Sequence, residues 1–275
     1  DIKEKVIRII HNLSFVEDPT RVFRAIRFEQ RFGFTIGKLT AGLIENSVKM
    51  DFFKRLSGKR VSNELRFILE EENPIASLKR LHDYNLLTVI HPAINLNKDT
   101  IVLFNSVKKV LSWYDLLFLE ESYKRWIVYF LALIRPCDRK IIGEINNRLE
   151  LPPRFRTIFV RSRFEAHRCL FGLEKPLPVK NSTLFRRLSP FPTELILYMM
   201  AATRKKTVKK AISKYFTQLR HMQISINGRD IKAFGVEPGP VYREILQTVL
   251  DAKLNGKLKT RDDELKFVQQ YIRKF

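Results

Sequence analysis

The feature that most constrains this chain is the near-total dominance of helical over alternating periodicity across its 275 residues. Apolar side chains recur at spacings of three and four, while glycine and proline are few and grouped at joints, so the pattern fits packed helices and argues against a sheet. Helices are predicted over 18–32, 37–48, 60–72, 74–84, 99–119, 121–134, 138–149, 153–170, 181–188, 192–202, 204–217, 228–234, 238–255 and 260–274. Residues 1–11 read as the end of an element that begins further upstream. No repeat and no alternating run stands out. The expected fold is all-α, an elongated array of helix pairs, divided into segments 1–92, 93–222 and 223–275.

Charge narrows the function classes. The formal net charge is +22, with a sequence pI near 10.1, and a field of that size points to a polyanionic partner. The charge is uneven: residues 1–90 hold 16 Lys/Arg and 12 Asp/Glu, whereas 91–275 hold 35 and 17. The second and third segments are therefore the better grip on a nucleic-acid backbone. Two cysteines 32 residues apart, with no CxxC, fit reduced thiols and a cytoplasmic setting rather than a disulfide framework or zinc site. The longest apolar run, Trp126–Ile134, is too short to span a bilayer and reads as a buried helix.

One stretch suggests chemistry. In SFVEDPTRVFRAIRFEQRFGF (14–34), Asp18 and Arg21 stand three residues apart, and Arg24, Arg27 and Arg31 continue that face at helical spacing. A carboxylate beside a guanidinium can accept from the exocyclic amine of adenine or cytosine while donating to the adjacent ring nitrogen. Guanine and uracil put a carbonyl where that amine would be. A site that would leave such groups unpaired discriminates against them. The competing reading is structural: Asp18-Pro19 is also an ordinary helix start, with Arg21 solvated.

The segment EDPTRVFRAIRFEQRFGF resembles the EDxxR motif, followed by RxxRFxxRFGF, of the bacterial class II tRNA nucleotidyltransferases and poly(A) polymerases. The similarity continues through LSGKRVSNELRFIL (56–69) and PIASLKRLHDYNLLTVIHP (74–92), and returns in INGRDIKAFGVEPGPVYREIL (226–246), while 93–220 matches only in helical character. The resemblance implies a nucleobase-selecting neck (1–92), a basic body (93–222) and an RNA-binding tail (223–275). It implies nucleotide binding by Asp18, Arg21, Arg24 and Arg27, with Glu17, Arg60 and Glu64 bracing that helix. Arg60 and Glu64, one turn apart, could equally form a solvated surface pair.

In that family the metal-binding Asp-x-Asp lies in an α/β catalytic head. No Asp-x-Asp occurs here, so the expectation is a neck, body and tail without the head, inactive alone, with no catalytic or metal-binding residue. ATP is the expected substrate, CTP the second candidate, and Mg²⁺ belongs to the head. Asp262-Asp263-Glu264 after Thr260 reads as the acidic first turn of a capped helix. His82 reads as packing beside Leu81 and Leu86 rather than binding metal.

RNA contacts are expected in two basic clusters. The first includes Arg135, Arg139, Lys140, Arg148, Arg154, Arg156, Arg161, Arg163 and Arg168 among phenylalanines; the second includes Arg204, Lys205, Lys206, Lys209, Lys210 and Lys214. In the tail, Gly235, Gly239 and the helix start after Pro240 would offer N–H groups to a phosphate beside Arg229 and Lys232. The expected partners are a tRNA or other RNA 3′ end and the chain's own N-terminal head, with no membrane. The function implied is selection of the nucleotide and binding of tRNA for addition of CCA or the final A. Poly(A) polymerase and a stand-alone helical RNA-binding module are the alternatives.

Overall fold

The computed structural model describes residues 2–175 and 179–273. It is all-α apart from one two-residue pairing, and it divides into two compact units: 1–167 with 193–202, and 168–192 with 203–275.

The first unit opens with β1 (Val6–Ile7), which pairs in parallel with β2 (Thr35–Ile36), Val6 opposite Thr35. No alternation announces so short a bridge. Its stabilisation comes from the helix between the strands, because Glu29 accepts the Ile36 N–H at 3.0 Å. Short α1 (Ser14–Glu17) precedes α2 (Thr20–Phe32), so the predicted helix at 18 begins two residues later, after a break at Asp18 and Pro19. Val22, Phe23 and Ile26 on α2 are fully buried, and Gly33 ends the helix in the left-handed conformation that glycine tolerates best. Next come α3 (Lys38–Lys49), α4 (Gly58–Glu70) and α5 (Pro74–Asp83). Proline at the first position of α5 lacks only an N–H that would have no partner in the helix. Val61, Leu65 and Ile68 of α4 and Leu78 and Leu81 of α5 close the core against α2. His82, in contrast, is exposed rather than packed beside Leu81: it falls on the outer face of α5.

Then follow α6 (Lys98–Asp115), α7 (Arg125–Leu133), α8 (Arg139–Arg148), α9 (Pro153–Arg156), α10 (Arg163–Leu173), α11 (Asn181–Leu188) and α12 (Thr193–Ala202). Asn97 and Asp138 cap α6 and α8 through their side-chain oxygens. Apart from its first residue, α7 is buried throughout, as its apolar run predicts, and it packs against α4, α6 and α12. The single helix predicted over 153–170 is interrupted by a π-helical stretch, Thr157–Ser162. The widened turn lets Phe159 fill the space beside Trp126 and Phe130, with ring centroids at 6.0 and 4.6 Å.

The second unit takes the end of α10 from residue 168 and all of α11; there α13 (Lys206–Lys214) runs into another π-helical stretch, Tyr215–Leu219, and α14 (Gly228–Ala233), α15 (Pro240–Leu254) and α16 (Arg261–Ile272) follow. The last three surround a small core of Ile226, Ile231, Ile245, Val249 and Val268. α16 starts as expected. Thr260 and Asp263 form a capping box, which satisfies two N–H groups at once. Lys274, the end of the predicted last helix, lies outside the described residues. Among the described residues, no helix is long and apolar enough to cross a membrane. Nor do three His, Cys, Asp or Glu side chains converge as a metal site.

Candidate nucleotide-binding site

The residues singled out in 14–34 meet α4 in one polar cluster. The break between α1 and α2 places Asp18 so that Oδ1 accepts from the Thr20 amide at 3.0 Å and the Thr20 hydroxyl at 2.6 Å. Arg60, from α4, reaches the same Oδ1 at 2.7 Å. Burial alone would raise the Asp18 carboxyl. The Thr20 hydroxyl and amide, with Arg60 and Arg21, outweigh that and hold it below its ordinary value. Asp18 is therefore an anion at neutral pH, with its described contacts gathered on one oxygen. Oδ2 remains as an acceptor.

Arg21 shows the same economy. Its Nη1 donates to the Ser14 hydroxyl at 2.8 Å and the Ser14 carbonyl at 3.3 Å, and it lies 3.4 Å from Glu17 Oε2. Those bonds fix the guanidinium while Nε and Nη2 enter no described bond. Glu17, predicted as a brace, thus acts on Arg21.

Arg60 also braces the cluster, but through a different partner from the one its spacing suggests. The alternative reading, a solvated Arg60–Glu64 pair, is not formed, because Arg60 turns toward Asp18 across the helix pair. Glu64 instead has a buried Oε2 with no hydrogen-bond partner. Burial pushes its carboxyl above the ordinary range. Arg27 and Arg24 pull it down, Asp18 pushes it further up, and Arg60 pulls it down. Arg24 is exposed. Arg27 is turned away from Asp18: its Nη1 pairs with Glu71 at 3.1 Å, and its guanidinium lies over Phe28 and Phe67.

Sequence reasoning missed three supporting residues here. Thr20 and Ser14 hold Asp18 and Arg21. Glu29, only 5% exposed, binds Ile36 N–H and Arg80 Nε and anchors α2 to β2 and α5. Thr20 was readable, since Asp followed two residues later by Thr is a usual side-chain turn. Ser14 and Glu29 carry no such signal.

The basic clusters are less uniform than their composition implies. Arg154, Arg156 and Arg161 are exposed, and Arg161 pairs with Glu165. Arg163 must be withdrawn as an RNA contact. It is 3% exposed, and its guanidinium donates to the carbonyls of Ile134 and Cys137 at 2.9 and 2.8 Å. It satisfies carbonyls left open where α7 ends. The position was legible, because Phe155, Phe159, Arg163 and Ala166 share one near-helical apolar stripe. Arg148 is likewise turned inward, toward the carbonyls of Val89 and Leu56.

In the second unit, Lys206 is exposed, Lys209 is half-buried, and the Lys205 ammonium bonds the Glu174 carbonyl. Arg229 and Lys232 are exposed on α14, whose Asn227 and Asp230 form a capping box. Gly239 is extended and immediately precedes α15, and no side chain caps that helix start. Glu264 is fully buried and binds Ser225 and Ile226 amides and Lys253 Nζ, so it is structural, as is the capping Asp263.

Residues 33–97 match the family described as the probable RNA and SrmB-binding site of polymerase A. An A-adding tRNA nucleotidyltransferase of Geobacter sulfurreducens is 43% identical over 97% of the chain. Along nearly its whole length the chain is thus similar to bacterial class II tRNA nucleotidyltransferases. It matches the C-terminal part of those proteins and spans 31% of the Geobacter relative's length. Among solved structures, a Thermotoga maritima CCA-adding enzyme complexed with tRNA superposes with a TM-score of 0.79 at 26% identity. That match covers 99% of this chain and 65% of the other. A CCA-adding enzyme solved with ATP gives 0.75 at 26% identity, covering 99% and 64%.

Proposed function

We propose that this chain is the nucleotide-selecting and tRNA-binding portion of a template-independent nucleotidyltransferase that adds the terminal A, or CCA, to tRNA 3′ ends. The observation that carries this is the division of labour on Asp18 and Arg21. One oxygen and one terminal nitrogen are tied into the fold, leaving Asp18 Oδ2 and Arg21 Nε and Nη2 for a base. Asp18 accepts from the exocyclic amine, and Arg21 donates to the neighbouring ring nitrogen. A keto base would set its carbonyl against an ionised carboxylate. The A-adding relative favours ATP as the nucleotide, with CTP as the second candidate.

Phosphoryl transfer requires carboxylates converging on metal ions, and in this reading Mg²⁺ and those carboxylates belong to a catalytic head outside the 275 residues. Arg154, Arg156, Arg161, Lys206, Lys209, Arg229 and Lys232, with the Gly239 turn, are the residues assigned to the RNA backbone. The match to the polymerase A description over 33–97 favours a second reading, a poly(A) polymerase acting on general RNA 3′ ends.

The test is incubation of the complete enzyme with a tRNA ending in CC, an unstructured RNA, Mg²⁺ and each nucleotide in turn. A single A on tRNA alone supports the first reading, and long A tails on both RNAs support the second. No addition on either refutes both. Binding of tRNA by residues 1–275 should weaken about tenfold or more between 50 and 200 mM salt.

A further inference from the structure

We propose that Arg148 and Glu150, at the end of α8, are positioning residues that set the start of α4 and thereby fix Arg60 on Asp18. They lie outside every segment that resembles the family motifs, and the inference rests on the nucleotide-selecting role just proposed for Asp18. α4 begins at Gly58, and Ser57, the residue in its capping position, makes no side-chain cap bond. The cap comes from far along the chain instead: Glu150 Oε1 accepts the Gly58 N–H at 2.8 Å. An anion there also suits the positive end of the helix dipole. Arg148 holds the preceding turn, donating from Nη1 to the Leu56 carbonyl and from Nε to the Val89 carbonyl, both at 3.2 Å.

The approach is close enough to require glycine. A Cβ at position 58 would sit 1.9 Å from the Arg148 carbonyl oxygen, so any side chain would drive the first turn of α4 away from α8. Glu150 reaches its post with φ of 49°, a conformation uncommon for a residue with a side chain. Arg60 lies two residues beyond Gly58, within that first turn, and its 2.7 Å contact with Asp18 is made from there. The body segment 148–150 therefore acts on the selecting carboxylate through one helical turn. Arg148, counted by composition with the RNA-binding cluster, has this work instead.

Two measurements test the inference. In the complete enzyme, Glu150→Ala should lower discrimination between ATP and GTP several-fold with the KM for tRNA unchanged, while Glu150→Gln, which keeps an acceptor oxygen, should retain most of it. Gly58→Ala should exceed Glu150→Ala. Combining Glu150→Ala with Asp18→Ala should add little to Asp18→Ala alone, because both act on one contact. Effects that multiply, or a Glu150→Ala enzyme with unchanged discrimination, would overturn the proposal. The second measurement needs no catalysis: amide hydrogen exchange at Thr20, whose N–H is held by Asp18, should quicken in Glu150→Ala on residues 1–275. Unchanged exchange at Thr20 overturns the coupling even if the complete enzyme adds no nucleotide. Quickened exchange with an inactive wild type faults the functional reading alone.

Discussion

Asp18 in the first unit and Glu264 in the second are both acidic residues at the beginning of a helix, and both meet a cation. Glu264 is fully buried, and both its oxygens are engaged, by the Ser225 and Ile226 amides on one side and Lys253 on the other. Asp18 is 23% exposed, crowds its described contacts onto Oδ1 and sits near Glu64, whose buried Oε2 is unmatched. A polar group that is completely satisfied holds a fold together, whereas one that is half satisfied and partly open is prepared to receive something. Residue type and helix position do not separate the two cases; the accounting of each oxygen does.

The comparison is most exposed to failure at Glu264. Glu264→Ala would leave Lys253, only 16% exposed, as a largely buried charge without its anion, together with two unmatched amides. The expected loss is about 3–5 kcal/mol, read as a large fall in the melting temperature of the second unit with no change in base selectivity. A mild effect would mean that full satisfaction is a poor sign of a structural role. Arg163→Ala comes next. It strips carbonyl partners from the end of α7 and should cost up to about 3 kcal/mol, yet leave the salt dependence of tRNA binding intact. A reduced salt slope would return Arg163 to the RNA-binding set.

At the open site the readout should change from stability to selectivity. Asp18→Ala and Arg21→Ala in the complete enzyme should each lose about 1.5–3 kcal/mol of discrimination, roughly one to two decades in ATP over GTP or UTP. Melting should shift only by the roughly 1 kcal/mol of a lost cap in Asp18→Ala. Competition between nucleotides, run beside thermal melts, measures both. If Asp18→Ala melts early and still selects ATP, Asp18 is a cap like any other.

Much of this contrast was legible in the sequence, and the illegible part has a physical cause. Helix 181–188 and the acidic start of α16 follow from periodicity and capping, which are local. The β1–β2 bridge is not local and is too short to alternate. The π-helical stretches 157–162 and 215–219 arise where large aromatic residues such as Phe159 and Phe216 must fit a core, and spacing alone carries no trace of them. The Asp18–Arg21 pair could be named from its motif. The partner of Arg60 could not, since an arginine can turn to the carboxylate one turn along its own helix or to one on a neighbour, and only packing decides.

The smallest expected effect concerns Glu64, which lies between the two extremes: inside the open site, yet partly buried. Its folded-state carboxyl lies above the ordinary value of 4.5, chiefly through burial, so the protonated form is the one the fold favours. Whatever stability this gives is present below the unfolded value and is lost as pH rises through the raised folded one. Asp18 runs the other way. Its carboxyl lies below the ordinary 3.8, so its contribution is present above that value and is lost as pH falls through the lower folded one. The two windows therefore lie on opposite sides of about pH 4. Glu64→Gln removes the charge at every pH and keeps the shape. Relative to wild type, its melting temperature should improve from pH 4 to pH 7, where wild-type Glu64 becomes an incompletely matched anion. Asp18→Asn should show the reverse trend, with its deficit growing as pH rises through the lowered Asp18 carboxyl and levelling off above the ordinary 3.8. Should Glu64→Gln instead lose ground toward pH 7, then Arg24, Arg27 and Arg60 repay the burial of that charge, and Glu64 is a structural ion like Glu264 rather than part of an unfinished site.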